Sequence, residues 1–520
     1  MMKNYLSLLA LMLATNAHAV AFKVDGINYS TTSATTVKVL PYSSGSGEGI
    51  SLNNGYQGDV VIPEKITYEG VDYTVTAVEE ETFSFSNKLT SVSLPATVQS
   101  LGEAPFASCN RLTAIHVDEA SPYFKTIDGV LFDHDVSVIL ACPASMTGTY
   151  NVPSTVREVG HSAFYGCTRL TDITLPDGVM VIGESAFRSC TKLQSFRIPK
   201  GVTEIKNHML RNCASLQSVF IPEGVTRIGN YAFSYCQSMG EITIPSTVKT
   251  VGTRAFDNCH GLRDIQFPEG VTSLGNDVMM SCSALQTASL PASLQHIGTG
   301  MFRVCMSLRQ INLAADNPYF VCEQGVLLDA DKTRVICCPA ASSGEYTVPA
   351  TVTAIDDFAF YYCQNLTAIH LPAHLQSIGM AAFAYCAALQ SFVIPAEVGF
   401  IGLSAFYYCD QLAAVVCQGT VPPVIEQEAF TAYGSITLYA PAQSRQQYAQ
   451  ADFWKKFTRF KGIGDVNLDG RVNVADVMAL VNVVLGSSTI DVEQKVCDIN
   501  YDSNVNVTDV MGVVRICLEN

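Results

Sequence analysis

Charge is scarce in this chain. Lys, Arg, Asp and Glu make up 15% of its 520 residues, and the formal net charge is −16. No run of Lys and Arg interrupts that acidic balance. Nucleic acids and anionic membrane surfaces recruit clustered cations, so both drop out as partners. Long apolar runs are missing as well: no segment reaches the roughly 20 consecutive apolar residues of a spanning helix. Tryptophan occurs once, at Trp454. There is no Gly-x-Ser-x-Gly elbow, no His-Glu-x-x-His, no phosphate loop and no carboxylate pair placed for acid–base work. The histidines, among them His161, His208, His260, His296 and His370, show no metal spacing. These absences move the functional question from catalysis toward binding.

What the chain does have is a phrase that returns. One copy reads Leu170-Thr171-Asp172-Ile173-Thr174-Leu175-Pro176, then Val181-Ile182-Gly183, then Ala186-Phe187-Arg188-Ser189-Cys190. Its phenylalanine falls at Phe83, Phe106, Phe164, Phe187, Phe233, Phe256, Phe302, Phe360, Phe383, Phe406 and Phe430, with Leu210 and Met279 in the same slot of two further copies. Neighbouring copies are mostly 23 residues apart. A fixed period of this length predicts a solenoid, in which each coil buries its apolar face only against its neighbours. The Leu-x-x-Ile-x-Leu stretch alternates as a short strand and proline ends it. The Ile-Gly-x-x-Ala-Phe stretch is too short for a helix and predicts a second short strand and a tight turn. Each buried Phe, Leu or Ile contributes roughly 1.5–3 kcal/mol.

The 18 cysteines follow the repeat. Cys109, Cys167, Cys190, Cys213, Cys236, Cys259, Cys282, Cys305, Cys363, Cys386 and Cys409 each stand three residues after the phenylalanine slot. They should stack one per coil with parallel Cβ vectors, which disfavours disulfides and reads as a ladder of small buried hydrophobes. Cys497 and Cys517 lie outside the ladder, and the sequence leaves open whether they pair. Two longer gaps, about 118–152 and 314–348, carry matching inserts. Ser121-Pro122-Tyr123-Phe124 answers Asn317-Pro318-Tyr319-Phe320, and Cys142-Pro143 answers Cys338-Pro339, each offset by 196 residues. A block of that size was duplicated, and the repeated Cys-Pro reads as structural.

Around the repeats, assigned to 77–430, stand other elements. Lys3, an apolar stretch from Tyr5 to Ala14 and Ala17-His18-Ala19 predict a secretory signal peptide over 1–19, cleaved after Ala19. Residues 20–76 predict a β cap, with glycine-rich breaks at Gly45 and Gly47. Residues 431–462 predict a C-terminal cap, helical from Tyr448 to Phe460, and Gly462 and Gly464 predict a hinge before a last module at 463–520.

That module carries ligand chemistry. Asp465, Asn467, Asp469, the backbone carbonyl of Arg471, Asn473 and Asp476 fall at positions 1, 3, 5, 7, 9 and 12 of a calcium loop, with Gly470 at position 6. Thirty-three residues later the pattern recurs as Asp498, Asn500, Asp502, Asn504, Asn506 and Asp509, with Ser503 replacing the glycine. Apolar periodicity predicts a helix after each loop, Val477 to Leu485 and Val510 to Leu518. Two Ca2+ ions are expected.

The repeated phrase resembles the BspA-like leucine-rich repeat family of bacterial and protist surface proteins. The paired loops, each closed by Asp and followed by one helix, resemble a type I dockerin. The first resemblance implies a secreted or surface protein that binds host proteins, other microbes or matrix. The second implies calcium-dependent docking to a cohesin-like protein, with Val474, Ala475, Val507 and Thr508 at the partner-reading positions. These are not the hydroxyl pairs common in cellulosomal dockerins. Tyr361, Tyr362, Tyr385, Tyr407 and Tyr408 form a further candidate surface. They predict an exposed stripe, with Tyr362, Tyr385 and Tyr408 either gripping a ligand or stacking between coils.

The expected fold is thus a mainly β leucine-rich-repeat solenoid of 23-residue coils, with a β N-terminal cap and a small α-helical, dockerin-like calcium-binding domain. The expected function is a secreted or surface-displayed, non-enzymatic binding or adhesion scaffold. The alternative is a non-catalytic or glycan-targeting component of a polysaccharide-degrading complex. Host, microbial and glycan ligands all remain open for the repeats.

Overall fold

The computed structural model describes residues 19–42, 55–467, 469–487, 494–500 and 504–519. The signal segment 1–18, Gly45 and Gly47 of the cap, and Asp502 and Ser503 of the second loop lie outside the described residues. The chain divides into two compact units, 1–262 with 273–278 and 263–272 with 279–520.

The first unit begins with the expected β cap. Its strands run in the order Ala21–Val24, Ile27–Thr31, Thr36–Val39, Val71–Val78, Lys65–Tyr68. The Val71–Val78 strand also pairs in parallel with Ser100–Leu101, Ala77 opposite Ser100. That parallel partner belongs to the first coils, so the cap closes the open end of the array. Tyr29, Val37, Val39 and Val75 fill its interior.

Coils then repeat with two parallel strand ladders. Ser195–Arg197 pairs with Ser218–Phe220, Phe196 opposite Val219, in a 23-residue register. Glu204–Ile205, Arg227–Ile228, Thr250–Val251 and Ser273–Leu274 form the second ladder. Alternation puts Phe196 and Val219 inside while Ser195, Arg197, Ser218, Asp264 and Gln266 face outward. The glycine of Ile-Gly is demanded by close approach. A Cβ on Gly229 would lie 2.7 Å from the Asn207 nitrogen and 2.8 Å from the Ile205 oxygen.

The Ala-Phe-x-x-Cys stretch forms an unusual ladder. Tyr231, Phe233 and Tyr235 donate their N–H groups to Thr253, Ala255 and Asp257 of the next coil at 2.8–2.9 Å. Between them, Ser234 and Cys236 donate back to Tyr231 and Phe233, closing tight turns. Tyr231 and Tyr235 adopt φ of 55° and 60°, the left-handed region. Alternating handedness aims three N–H groups per coil in one direction, and the inter-coil bonds offset the strain of non-glycine residues held there. In the second unit Phe358, Phe360 and Tyr362 donate to Met380, Ala382 and Ala384 in the same sense.

The cysteine ladder is buried and forms no disulfide among the described residues. It is more than a row of small hydrophobes. Cys259 Sγ reaches the Phe233 carbonyl at 3.2 Å, and Cys386 Sγ reaches that of Phe360 at 3.2 Å. The thiol fills the second acceptor site of a carbonyl that already accepts the turn N–H, as Phe360 does from Cys363. Burial pushes the thiols of Cys109, Cys213 and Cys409 up to about 12.

The two inserts share one architecture. Phe124–Ile127, Val130–Asp133 and Val138–Ala141 form an antiparallel set that joins Glu158–Val159 in parallel. Phe320–Glu323, Val326–Asp329, Arg334–Cys337 and Ala354–Ile355 repeat it, bulge included. Cys142 and Cys338 occupy the phenylalanine slot. Their N–H groups donate to Ala163 and Ala359 at 2.7 Å, and the next thiols, Cys167 and Cys363, approach their carbonyls at 4.0 and 3.9 Å. The Cys-Pro repetition therefore serves the ladder.

At the C-terminal end the expected helix is largely absent. The helix is Arg445–Gln450, a 3-10 turn covers Trp454–Lys456, and Arg459–Ile463 is a strand. Phe457 breaks the turn because Arg459 onward continues the parallel sheet beside Thr437–Pro441. Trp454 is buried and donates Nε1–H to the Pro423 carbonyl at 2.7 Å. At the end of the ladder two backbone carbonyls and two hydroxyls take over: Ser404 and Phe406 still donate to Glu428 and Ala429. Thr431 Oγ1 accepts from Tyr408, and Tyr433 OH accepts from Ala429 at 3.1 Å. Gly462 pairs with Ala440 inside the sheet, so the expected hinge is not there.

Candidate functional site

The terminal module consists of two loop–helix halves. The first loop wraps around its own carboxylates. Asp465 is 5% exposed and accepts N–H groups from Asp469 at 3.0 Å and Gly470 at 2.8 Å. Gly470 takes φ +88°, which only glycine adopts without strain. Asp476 is fully buried and accepts from Asn467 at 3.0 Å and Asn473 at 2.9 Å. In the second half, fully buried Asp509 accepts from Ile499 at 2.8 Å and Asn506 at 2.9 Å. Asp498 is buried, Asn500 Nδ2 donates to Thr508 Oγ1 at 2.7 Å, and Asn504 is exposed.

Asn473 and Asn506 also start the helices. Asn473 Oδ1 accepts from Ala475 N–H and Asn506 Oδ1 from Thr508 N–H, each at 2.8 Å. With Asp476 bonding back to the Asn473 N–H, the first half has a capping box. The helices accordingly begin at Val474 and Val507, three residues before the apolar periodicity suggested.

The loop interior is electrostatically loaded. Burial pushes the Asp465 carboxyl above its ordinary value. The Gly470 N–H opposes this, the Asp476 carboxylate adds to it, and the Asp469 carboxylate adds a little more. Among the described residues no group of three or more His, Cys, Asp or Glu is close enough to hold a metal ion. Asn467 Oδ1 and Asp469 Oδ1 accept N–H groups of Asp469 and Arg471 at 2.9 Å. The donor atoms are otherwise all oxygen, hard ligands suited to Ca2+ rather than to a softer ion.

The helices Val474–Val484 and Val507–Glu519 share a core of Val466, Leu480, Cys497 and Val513. Cys497 and Cys517 are both free thiols. All four expected partner-reading residues are exposed. They are joined by Met478 and the C-cap residue Leu485 at one helix and by Met511 and Leu518 on the other. With Val474 and Val507, these six are 58% to 82% exposed. Spacing of 4 and then 7 places each set along one helix face, and the two sets are equivalent under the 33-residue duplication. The sequence contained this signal, since apolar residues beyond the core stripe recur in both halves.

The tyrosine stripe exists and is stacked. Tyr362 and Tyr385 lie 4.4 Å apart at 20°, and Tyr385 and Tyr408 5.2 Å apart at 16°. Tyr407 packs edge-on against Tyr408. The ring faces are therefore largely spent on one another; of the expected exposed stripe, Tyr407 and Tyr408 are exposed while Tyr361, Tyr362 and Tyr385 are half-buried.

Among the described residues no helix is long and apolar enough to cross a membrane.

Residues 463–516 match the dockerin type I domain. No curated protein matches the chain. Among solved structures, a leucine-rich repeat protein from Bacteroides ovatus is 22% identical, with 85% of this chain and 99% of that one covered and a TM-score of 0.40. A leucine rich cell surface protein from Faecalibacterium prausnitzii is 22% identical, with 88% and 97% covered and a TM-score of 0.37. A leucine-rich repeat protein from Eubacterium ventriosum is 23% identical, with 62% and 76% covered and a TM-score of 0.44. The BspA type leucine rich repeat region, in six copies, matches residues 64–137, 144–239, 226–320 and 338–451. With most of its length matched in this way, the chain belongs to the BspA-type leucine-rich repeat family.

Proposed function

We propose that this protein is an exported, non-catalytic binding scaffold whose terminal module docks to a cohesin-like protein in a calcium-dependent manner. The observation that carries this reading is the duplicated pair of exposed apolar helix faces, each set directly after a loop of buried carboxylates. Val474, Met478 and Leu485, and Val507, Met511 and Leu518, offer a partner apolar area that a solvated helix would not expose in two equivalent copies. The residues that would hold the two ions are Asp465, Asn467, Asp469, the Arg471 carbonyl and Asp476, and Asp498, Asn500, Asp502, the Asn504 carbonyl and Asp509. Asn473 and Asn506 would reach the ions through water, which leaves their helix caps intact. Bound Ca2+ would offset the mutual repulsion of Asp465, Asp469 and Asp476. The repeats would present the outward polar positions and the tyrosine stripe to a host, microbial or glycan ligand. The predicted signal peptide would place all of this outside the cytoplasm.

Calcium titration calorimetry on residues 20–520 tests the metal part. Two binding events are expected, and both should vanish when Asp476→Asn and Asp509→Asn are combined. Heat unchanged by that double substitution would overturn the ligand assignment. Equal capture by a cohesin-like bait with and without chelator would overturn the calcium dependence, and no capture of the calcium-loaded chain would overturn the docking.

A further inference from the structure

The sheet of the last coils changes character where the module begins. Outward strand positions elsewhere in the second unit are exposed or half-buried, as in Gln310–Leu313 and Ser391–Ile394. In Ala414–Cys417 every residue is buried, and Thr437–Pro441 is buried through its middle three. Both faces of these strands are covered. The inner face belongs to the coil core, through Val415 and Leu438. The outer face carries Ala414, Val416 and Tyr439, which cluster with Ile463 and Val496 of the module. Where other coils present mainly polar residues outward, with single exposed exceptions such as Val393, this one presents a covered apolar seat.

The two residues that fill the seat are equivalents. Ile463 and Val496 are 33 residues apart, the module's own repeat distance. They are 2% and 0% exposed. Each stands two residues before the first carboxylate of a calcium loop, Asp465 or Asp498, and three before a residue packed in the module core, Val466 or Ile499. Gly464 N–H donates to the Val496 carbonyl at 3.0 Å, tying one pin to the other. Lys495 Nζ lies 5.8 Å from the Tyr439 ring centroid. The Arg459–Ile463 strand extends the coil sheet in register up to Pro441 opposite Ile463. The chain thus passes from sheet to metal loop within two residues, without a linker.

From this geometry we infer that the outer face of the last coils is a docking surface for the chain's own terminal module, and that metal occupancy of the loops governs its opening. Peeling Ile463 or Val496 off the seat displaces the loop that begins two residues on. A loop held around an ion resists that displacement, so calcium fastens the end of the repeat array as well as the module. The inference rests on the calcium reading above, and its test separates the two.

Hydrogen–deuterium exchange of residues 20–520, with calorimetry alongside, reads both parts. At calcium 100 times its dissociation constant, openings that require metal release become about 100-fold rarer. Amides of Thr437–Pro441 and Arg459–Ile463 should slow by that factor in the unmodified chain. Val416→Asp, on the repeat side, and Val496→Asp, on the module side, should each make exchange in Thr437–Pro441 fast and, because coupling between two equilibria is reciprocal, weaken calcium uptake. Calcium uptake with unchanged exchange in the unmodified chain would overturn the coupling. Unchanged exchange in both variants would overturn the seam itself. If the unmodified chain took up no calcium, the metal reading and the coupling would fall together, and fast exchange in Val416→Asp would then still support the seam.

Discussion

Cys386 offers a test whose sign discriminates between two physical accounts of the cysteine ladder. The side chain is fully buried and its sulfur lies 3.2 Å from the Phe360 carbonyl. That carbonyl also accepts the Cys363 N–H, so losing the thiol leaves it half satisfied rather than orphaned. Cys386→Ala removes the buried sulfur, about 1 kcal/mol on the scale of one methylene. It also removes a weak hydrogen bond, about 0.5–1 kcal/mol. Cys386→Ser loses the sulfur but keeps a donor aimed at the same oxygen, so it should cost about 1 kcal/mol and be the milder change. Were the ladder only a row of small hydrophobes, the order would invert. A buried hydroxyl without a partner would cost about 1–3 kcal/mol more than alanine. Urea denaturation followed by fluorescence of Trp454, which is buried in the same unit, measures both variants. Equal urea slopes are required before midpoints are compared. Serine proving more destabilising than alanine would refute the donor role.

Gly379→Ala should destabilise by about 1–3 kcal/mol, because its Cβ would lie 2.5 Å from the Asp357 nitrogen. Gly399→Ala, with nothing within 4 Å of its Cβ, should stay within about 0.5 kcal/mol of the parent in the same denaturation assay. The buried thiols predict an alkaline limit. Cys109, Cys213 and Cys409 hold their protons to about 12, whereas an unfolded thiol releases its proton near pH 8.5. Stability should therefore be level below about pH 8.5 and fall above it by about 1.4 kcal/mol per pH unit for each such thiol. Denaturation midpoints across that range, under reducing conditions, check this, and a midpoint independent of alkali would contradict it. Met478→Asp combined with Met511→Asp should leave calcium uptake unchanged and abolish capture by a cohesin-like bait in a pull-down.

The coil was legible because its cause is periodic. A 23-residue recurrence of Leu, Ile, Phe and Cys states which residues face inward before any coordinates exist, and both predicted strands recur in most coils, although residues 241–244 form none. The forward ladder was less legible. It depends on alternating backbone handedness at positions that hold Ser, Asn, His, Arg, Tyr, Phe or Ala, and no single residue type marks it. The helix expected from Tyr448 to Phe460 failed because a parallel partner, Thr437–Pro441, was available to Arg459–Ile463, and pairing outweighed local pattern. Gly462 and Gly464 looked like a hinge because a linker and a close approach use the same residue. A Cβ on Gly462 would meet that of Ala442 at 2.7 Å, so its glycine serves packing. The seat at Ala414 and Val416 was readable in principle, as the coil whose outward positions turn apolar.

The one-way ladder gives the array a direction. Within each unit, coils such as those of Tyr231 and Phe358 hand three donors to the next and receive on the other edge, so one such coil can follow another, but none can be turned round. A block can be copied into the file without disturbing the hand-over, as the 196-residue duplication was. One copy then suffices as a template, and the other is free to vary. Arg303, Arg334 and Asp356 in the second copy stand where the first has Ala107, Val138 and Gly160, with the strand pairing around them unchanged. An architecture in which each layer answers only to its neighbours lets surface chemistry change while the frame stays fixed.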